Sequence, residues 1–284
     1  METGLGLLGR CCGPGPGGVT AGPGPGGVPA GSAPAGESGL WALAPSAAPW
    51  LTDGPVPFLV EEYVPGPEVS VQLAVWEGRP LAVSVTAKET GPLPYFQKTA
   101  ITVPAPLSPA QRRAAEDAAV LAVRAVGMEQ GGAYVEMRLA VGGPRVIEVG
   151  ARIEGDRIPQ MVREVTGADL VGAALWAALG ERRRFFASLS QRRRRSRIAG
   201  GACLRFFFPP APGVVRGFLG VDAAARSPGV VEVDLTPVGT RLGCPPEAFT
   251  DRLGFVRALA PRPELARARA EAAAGLIVAQ LDAG

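Results

Sequence analysis

Apolar and polar positions repeat along the chain with two periods, which together predict a mixture of strands and helices. Residues 68–87, EVSVQLAVWEGRPLAVSVTA, alternate around a Glu-Gly pair and predict a β-hairpin. Residues 108–126 show helical spacing, with Ser108 as N-cap, Pro109 in the first turn and Gly127 at the end. Further strands are predicted at 58–64, 98–107, 132–141, 144–152, 201–208, 213–219, 230–236 and 252–259, and further helices at 156–166, 169–179 and 262–281.

Residues 1–57 carry no such periodicity. They contain 15 glycines and 10 prolines but only four charged residues, and GPGPGGV occurs twice, at 13–19 and 22–28. This composition cannot bury enough apolar surface to offset the entropy lost on ordering, so we expect a disordered segment. Translation of upstream DNA from a wrong start or frame would give a similar composition, and that alternative stays open.

Several absences narrow the function. The chain has no histidine, which excludes Ser-His and Cys-His catalytic pairs and histidine-ligated metals. Its four cysteines form no C-x-x-C pair and call for neither a zinc site nor disulfides. No apolar run reaches the length of a membrane span, and the N-terminus lacks the pattern of a secretory signal. We therefore expect a cytoplasmic protein without a membrane partner.

The basic character of the chain is local. Residues 181–197, ERRRFFASLSQRRRRSR, hold eight arginines and one glutamate, while the net charge of the whole chain is +3. One interpretation is a solvated linker. The alternative is a nucleic-acid-binding segment, in which Phe185 and Phe186 stack on bases while the arginines contact phosphates. We favour the linker and expect no nucleic-acid partner.

Two glutamates stand in neighbouring predicted strands. In AYVEMRL, alternation places Tyr134, Glu136 and Arg138 on one face, and in RVIEVGAR it places Val146, Glu148, Gly150 and Arg152 on one face. A tight turn near Gly142 would set Glu136 opposite Glu148. Like charges in that position repel each other, and a Mg²⁺ or Mn²⁺ ion between them would reverse the penalty. The alternative is that both side chains point to solvent.

Three segments, in this order, resemble the ATP-grasp superfamily, and most closely its carboxylate–amine ligase and L-amino-acid ligase branch: FLVEEYVPGPEVSV, AYVEMRL with RVIEVGAR, and GDRIPQMVREVTGADLV. The last part of the chain resembles the C-terminal domain of those ligases. The resemblance implies an α+β fold, in which the ATP-grasp C-terminal subdomain, an antiparallel sheet with flanking helices, precedes a small α+β tail domain. The expected layout is a Gly/Pro-rich segment at 1–57, a partial ATP-grasp domain at 58–180, an Arg-rich linker at 181–198 and the tail domain at 199–284.

The resemblance also implies a reaction. ATP, with Mg²⁺ or Mn²⁺, would activate a small-molecule carboxylate as an acyl phosphate, and an amine substrate would attack it to form an amide or peptide bond. In this scheme Glu136 and Glu148 bind the metal, and Arg152 stabilises the phosphate in transfer. The ATP-binding residues implied are Glu61, Glu62 and Val64 at the adenine, Glu68 at the ribose and Lys88 at a phosphate. A solvated loop position for Lys88 is an equal alternative.

Three departures from the family pattern lead us to expect a truncated protein with weak or no activity. Gly150 stands where relatives usually have a metal-binding asparagine, so we expect Gly150→Asn to tighten metal binding. Lys98, Ala100 and Ile101 stand where relatives typically have Glu, Gly and His. The first lobe of the nucleotide clamp is not recognisable, because its place is taken by residues 1–57. A non-catalytic remnant of a ligase is therefore the alternative to an active enzyme.

Overall fold

Strands form one large and one small sheet in the part of the chain that the computed structural model describes, residues 61–91, 95–190, 200–245 and 248–282. The strands are β1 Glu68–Trp76, β2 Arg79–Thr90, β3 Lys98–Val103, β4 Gly131–Ala140, β5 Gly143–Gly150, β6 Gly201–Phe207, β7 Gly213–Leu219, β8 Val230–Leu235, β9 Arg241–Leu242, β10 Gly254–Ala260 and β11 Val278–Asp282. The helices are α1 Pro109–Ala125, α2 Ile158–Thr166, α3 Leu170–Ala178, α4 Arg182–Leu189, α5 Val221–Ala225 and α6 Pro263–Ala274. No helix in these ranges is long and apolar enough to cross a membrane.

The large sheet has eight strands in the order β5-β4-β1-β2-β3-β6-β10-β8, with antiparallel pairing throughout. The small sheet has the order β11-β7-β9. The predicted α+β class, an antiparallel sheet with flanking helices, is confirmed. The large sheet crosses the predicted boundary at 198/199, because β3 pairs with β6 from Ala100–Arg205 to Val103–Ala202. The proposed domain limits stay predictions about sequence modules.

One face of the large sheet is apolar beneath α1. Alternate residues of β1, from Val69 to Val75, pack with Ala115, Ala119 and Val123 of the helix. Ser108 caps α1, and Gln111 completes a capping box that the sequence analysis did not identify. The opposite face of β1 begins with polar residues and continues into Ala74 and Trp76 beneath α3 and α4. The polar end of this face holds the candidate site.

Three sequence predictions are wrong in detail. Residues 61–64, predicted to be strand, form an irregular segment, and residues 58–60 lie outside the described ranges. The predicted linker begins with α4, because Phe185 is fully buried against Trp76. The final helix ends at Ala274 and not near 281, since the chain passes Gly275 and then pairs as β11 with β7. Burial and strand pairing override local composition at these places.

Candidate functional site

The two predicted metal-binding carboxylates are direct partners across β4 and β5. Ala140 pairs with Gly143 at the turn, and this register continues as far as Met137 with Val146. A β-bulge then shifts the register by one residue, so that Glu136 lies opposite Glu148. The predicted pairing of Glu136 with Glu148 is confirmed, and it depends on a bulge that strict alternation does not predict.

The bulge also corrects the predicted face of β5. Directly opposed residues of an antiparallel pair share a face. Val146 opposes the buried Met137, and Glu148 and Gly150 oppose Glu136 and Tyr134. The expectation that Val146 and Glu148 share a face is therefore wrong. Cross-strand partners extend the polar face to β1 and β2: its members are Glu68, Ser70, Gln72, Thr86, Lys88, Tyr134, Glu136, Arg138, Glu148 and Gly150.

Tyr134 connects the second carboxylate to the predicted phosphate-binding arginine. Its hydroxyl donates a hydrogen bond to Oε1 of Glu148 and accepts one from Nη2 of Arg152 at 3.0 Å. The guanidinium of Arg152 also lies 5.0 Å from the centre of the Tyr134 ring. Desolvation and the hydrogen bond to Glu148 raise the pKa of Tyr134 to about 12. The hydroxyl therefore keeps its proton at neutral pH, and Glu148 and Arg152 converge on it.

Lys88 lies in a buried ionic network and not in a solvated loop. Its ammonium is fully buried on β2 and forms ion pairs with Glu136 and Glu154. Ser70 Oγ and Gln72 Nε2 each donate a 2.7 Å hydrogen bond to Oε2 of Glu154. Burial acts to lower the pKa of Lys88, but the charges of Glu154 and Glu136 outweigh it and hold the pKa above its ordinary value. Lys88 is therefore a charged cation inside the site.

Glu154 is the main site residue that the sequence analysis missed. It lies in the loop after β5, where no periodic pattern applies, and only 7% of its surface is exposed. The available signal was indirect. Ser70, Gln72 and Thr86 are polar residues on one face of strands whose other face is apolar, and such a row of buried polar groups requires partners. Glu154 and Lys88 are the charged partners in that row.

The predicted adenine and ribose contacts differ in exposure and in their partners. Glu61 and Glu62 are exposed and Val64 is half-buried, in the irregular segment before β1. Glu68, at the start of β1, forms a 2.8 Å ion pair with Arg138. The arginine lies 5.7 Å and 5.5 Å from the ring centres of Tyr63 and Phe96, which stack on each other. Since Glu68 is already paired, a ribose hydroxyl would have to share its carboxylate with Arg138.

A second group of charges surrounds Asp156, in the loop after Glu154. Lys98 Nζ lies 3.2 Å from Oδ2, and Arg252 Nη1 lies 3.0 Å from Oδ1. Asp156 and Arg252 line an open cleft of about 320 Å³ beside Phe206. Ile101, at the second departure from the family pattern, is the cross-strand partner of Lys88 and lies on the same sheet face, where it is fully buried in a hydrophobic cluster.

The ion pairs of Asp156 predict acid sensitivity. Burial opposes ionisation, but hydrogen bonds and charges from Arg252 and Lys98 outweigh it and lower the pKa of Asp156 below its ordinary value. Its stabilising contribution is then complete above about pH 4, the ordinary aspartate pKa, and is lost as pH falls through the lower folded-state pKa. We expect the free energy of unfolding to fall less steeply below pH 4 in Asp156→Asn than in the wild type. Urea unfolding between pH 2.5 and pH 6 checks this, and parallel curves would contradict it.

The side chains of the site can supply only some of the ligands of a metal ion, so the metal would also need oxygens from a bound phosphate. Within the described ranges, no three His, Cys, Asp or Glu side chains come together as a metal cluster. Two opposed carboxylates, Glu136 and Glu148, suffice for Mg²⁺ when phosphate oxygens supply further ligands. Lys88 pairs with Glu136 and would have to share this carboxylate with the metal. The residues therefore fit Mg²⁺ or Mn²⁺ bound together with a nucleotide.

Gly150 has no side-chain oxygen to bind a metal, and the ring of Tyr134 fills the space beside it. A Cβ atom at this position would lie 2.1 Å from Cε1 of Tyr134. An asparagine at 150 would require the tyrosine ring to move. The geometry thus argues against the expectation that Gly150→Asn tightens metal binding.

Two family models and several known proteins match parts of this chain. Residues 52–160 match the family model of the ATP-grasp domain, and residues 205–282 match that of the L-amino acid ligase C-terminal domain 2. The uncharacterized protein y4rH of Sinorhizobium fredii is 34% identical over 208 residues, which are 72% of this chain and 40% of that protein. Carnosine synthase 1 of Gallus gallus is 41% identical over 123 residues, which are 43% of this chain and 13% of that protein.

Among solved structures, the L-amino acid ligase from Bacillus licheniformis has a similar fold. The TM-score is 0.68 at 24% sequence identity, over 78% of this chain and 55% of that one. The chain thus spans less than half the length of the two curated relatives and little more than half of the solved ligase.

Proposed function

Because this chain belongs to the ATP-grasp superfamily, we propose that it acts as an ATP- and Mg²⁺-dependent carboxylate–amine ligase. The observation that carries the proposal is the opposed pair Glu136 and Glu148, with Arg152 joined to the second carboxylate through Tyr134. The names of the relatives favour amino acids as the carboxylate and amine substrates.

The proposed chemistry has two steps. The substrate carboxylate attacks the γ-phosphorus of ATP, which forms an acyl phosphate and releases ADP. The amine then attacks the acyl carbon, the C–O bond to phosphate breaks, and the amine loses a proton as the amide forms. The metal, when bound, neutralises phosphate charge and orients the transferred group.

The residues of this chain have separate roles in that scheme. Glu136 and Glu148 hold the metal, and the guanidinium of Arg152 stabilises the charge on the phosphate in transfer. Lys88 already pairs with Glu136 and Glu154, which leaves the third N–H of its ammonium for a phosphate oxygen. Glu61, Glu62, Val64 and Glu68 are the proposed adenine and ribose contacts.

The second candidate is a protein that binds nucleotide without catalysis. The pairing of Lys88 with Glu136 favours it, because the ammonium competes with Mg²⁺ for one of the two carboxylates. The nucleic-acid alternative is weakened, because Phe185 is fully buried and cannot stack on a base. Arg192–Arg195 lie outside the described ranges.

Product formation distinguishes the two candidates. The full chain is incubated with Mg²⁺, ATP and pairs of amino acids, and ADP and the condensation product are measured by coupled assay and mass spectrometry. Equal amounts of ADP and dipeptide, dependent on an amino acid, would support the ligase. Nucleotide binding without ADP formation for any pair would favour the second candidate, and no binding would contradict both.

A further inference from the structure

Tyr134 and Gly150 form an interlocked cross-strand pair. They are direct partners in the register of β4 and β5. A Cβ built on Gly150 would lie 2.1 Å from Cε1, 2.4 Å from Cζ and 2.8 Å from Cδ1 of the tyrosine. The ring therefore occupies the space that any side chain at 150 would need, and the tyrosine takes this position only because residue 150 is glycine.

This packing fixes where the tyrosine hydroxyl lies. The ring is nearly fully buried, with 3% of its surface exposed, while its neighbours Glu148 and Arg152 are both exposed. A tyrosine has only two side-chain torsions, and burial of its ring fixes both, so the hydroxyl at the tip of the ring is held in a single place. The tip donates to Glu148 and accepts from Arg152, so one buried group contacts two exposed side chains.

We infer that Tyr134 is a positioning residue of the nucleotide site, which orients the carboxylate of Glu148 toward the metal and the guanidinium of Arg152 toward the transferred phosphate. This inference rests on the proposed function, because it takes Glu148 and Arg152 as site residues. Glu148 and Arg152 each make a hydrogen bond to the buried hydroxyl of Tyr134 in place of one to solvent. Gly150 serves the same purpose by leaving room for the ring.

The mechanism has a specific consequence for binding. One oxygen of Glu148 accepts from Tyr134, so its other oxygen is the one presented to a metal. Loss of an outer partner of a ligand typically lowers metal affinity about 10–100-fold. Removal of the hydroxyl alone is therefore expected to weaken metal–nucleotide binding while the ring still packs over Gly150.

The test uses Tyr134→Phe in the full chain, with Mn²⁺ and ATP as the probe. We expect the affinity for Mn²⁺ with ATP to fall about 10-fold or more, with a changed Mn²⁺ paramagnetic resonance spectrum. The matched control is Tyr95→Phe, which removes the same hydroxyl from an exposed tyrosine that is not the hydrogen-bond partner of Glu148 or Arg152. Thermal unfolding is recorded for each variant, to show that the fold is retained.

A second pair of variants tests the interlock itself. Gly150→Ala adds only the Cβ that would overlap Tyr134, and we expect it to weaken binding at least as much as Tyr134→Phe does. Gly142→Ala is its control, since a Cβ there meets nothing closer than Arg145 at 3.7 Å.

A loss of affinity in both site variants would support the inference. Unchanged affinity in Tyr134→Phe, with binding by the wild type, would overturn it and leave the proposed function standing. No binding by the wild type would contradict the proposed function and this inference with it.

Discussion

Glu148→Gln is expected to lower the affinity of the chain for Mg·ATP by about 100-fold or more, since loss of an outer partner alone costs 10–100-fold. The amide keeps the shape of the side chain and can still accept the hydrogen bond from Tyr134, but it removes the charge that a divalent cation needs. Glu136 would then be the only carboxylate of the opposed pair, and Lys88 already competes for it. Isothermal calorimetry with Mg·ATP measures the change.

The control for this variant is Glu116→Gln on α1, which takes part in no ion pair among the described residues. It should bind as the wild type does. If Glu148→Gln and the wild type bind Mg·ATP equally well, the assignment of the metal site to β4 and β5 is wrong. Equal unfolding temperatures of Glu148→Gln and the wild type would show that a loss of binding does not come from a loss of folding.

Lys88→Met is expected to lower the free energy of unfolding by about 3–5 kcal/mol, the usual cost of removing one partner of a buried ion pair. The ammonium of Lys88 is fully buried, and its loss leaves Glu154 without its cation while Ser70 and Gln72 still hold it in place. Urea unfolding of the full chain provides the measurement. The double variant Lys88→Met with Glu154→Gln should recover part of the loss, because the remaining buried group is then neutral.

Lys98→Met is the matched control, since this is the other lysine of the chain and its ammonium is partly exposed in its pair with Asp156. Exposed ion pairs contribute at most about 1 kcal/mol, so its effect should be small. Similar small losses for both lysines would contradict a buried ionic network at Lys88. A large loss for Lys88 alone would assign the residue a structural role, whether or not it also contacts phosphate.

Much of the candidate site could be predicted from the sequence because it lies on strands. Alternation and a turn near Gly142 predict that Glu136 opposes Glu148. The structure has that pair, although it reaches it through a bulge between Glu136 and Met137 that the pattern does not indicate. The hairpin of β1 and β2 and the helix α1 were predictable for the same reason, since apolar periodicity and end signals agree there.

The remainder depends on contacts between distant segments, which no local pattern encodes. Glu154 reaches Ser70 and Gln72 from a loop more than 80 residues further along the chain. The face of Val146 depends on a bulge, and a period-2 pattern has no means of indicating an extra residue. The helix α4 forms within an arginine-rich run because Phe185 finds a buried place against Trp76, although composition there favours a solvated linker.

The pairing of β3 with β6 has a consequence for how the chain can be divided. Sequence families separate the ATP-grasp part from the C-terminal part, but four residue pairs from Ala100–Arg205 to Val103–Ala202 join them in one sheet. A cut between 190 and 200 would leave each fragment with a newly exposed, largely apolar strand edge. Such edges recruit other chains and promote aggregation. We therefore expect the two sequence modules to remain in solution only when they are expressed as one chain, in which β3 and β6 cover each other's edge.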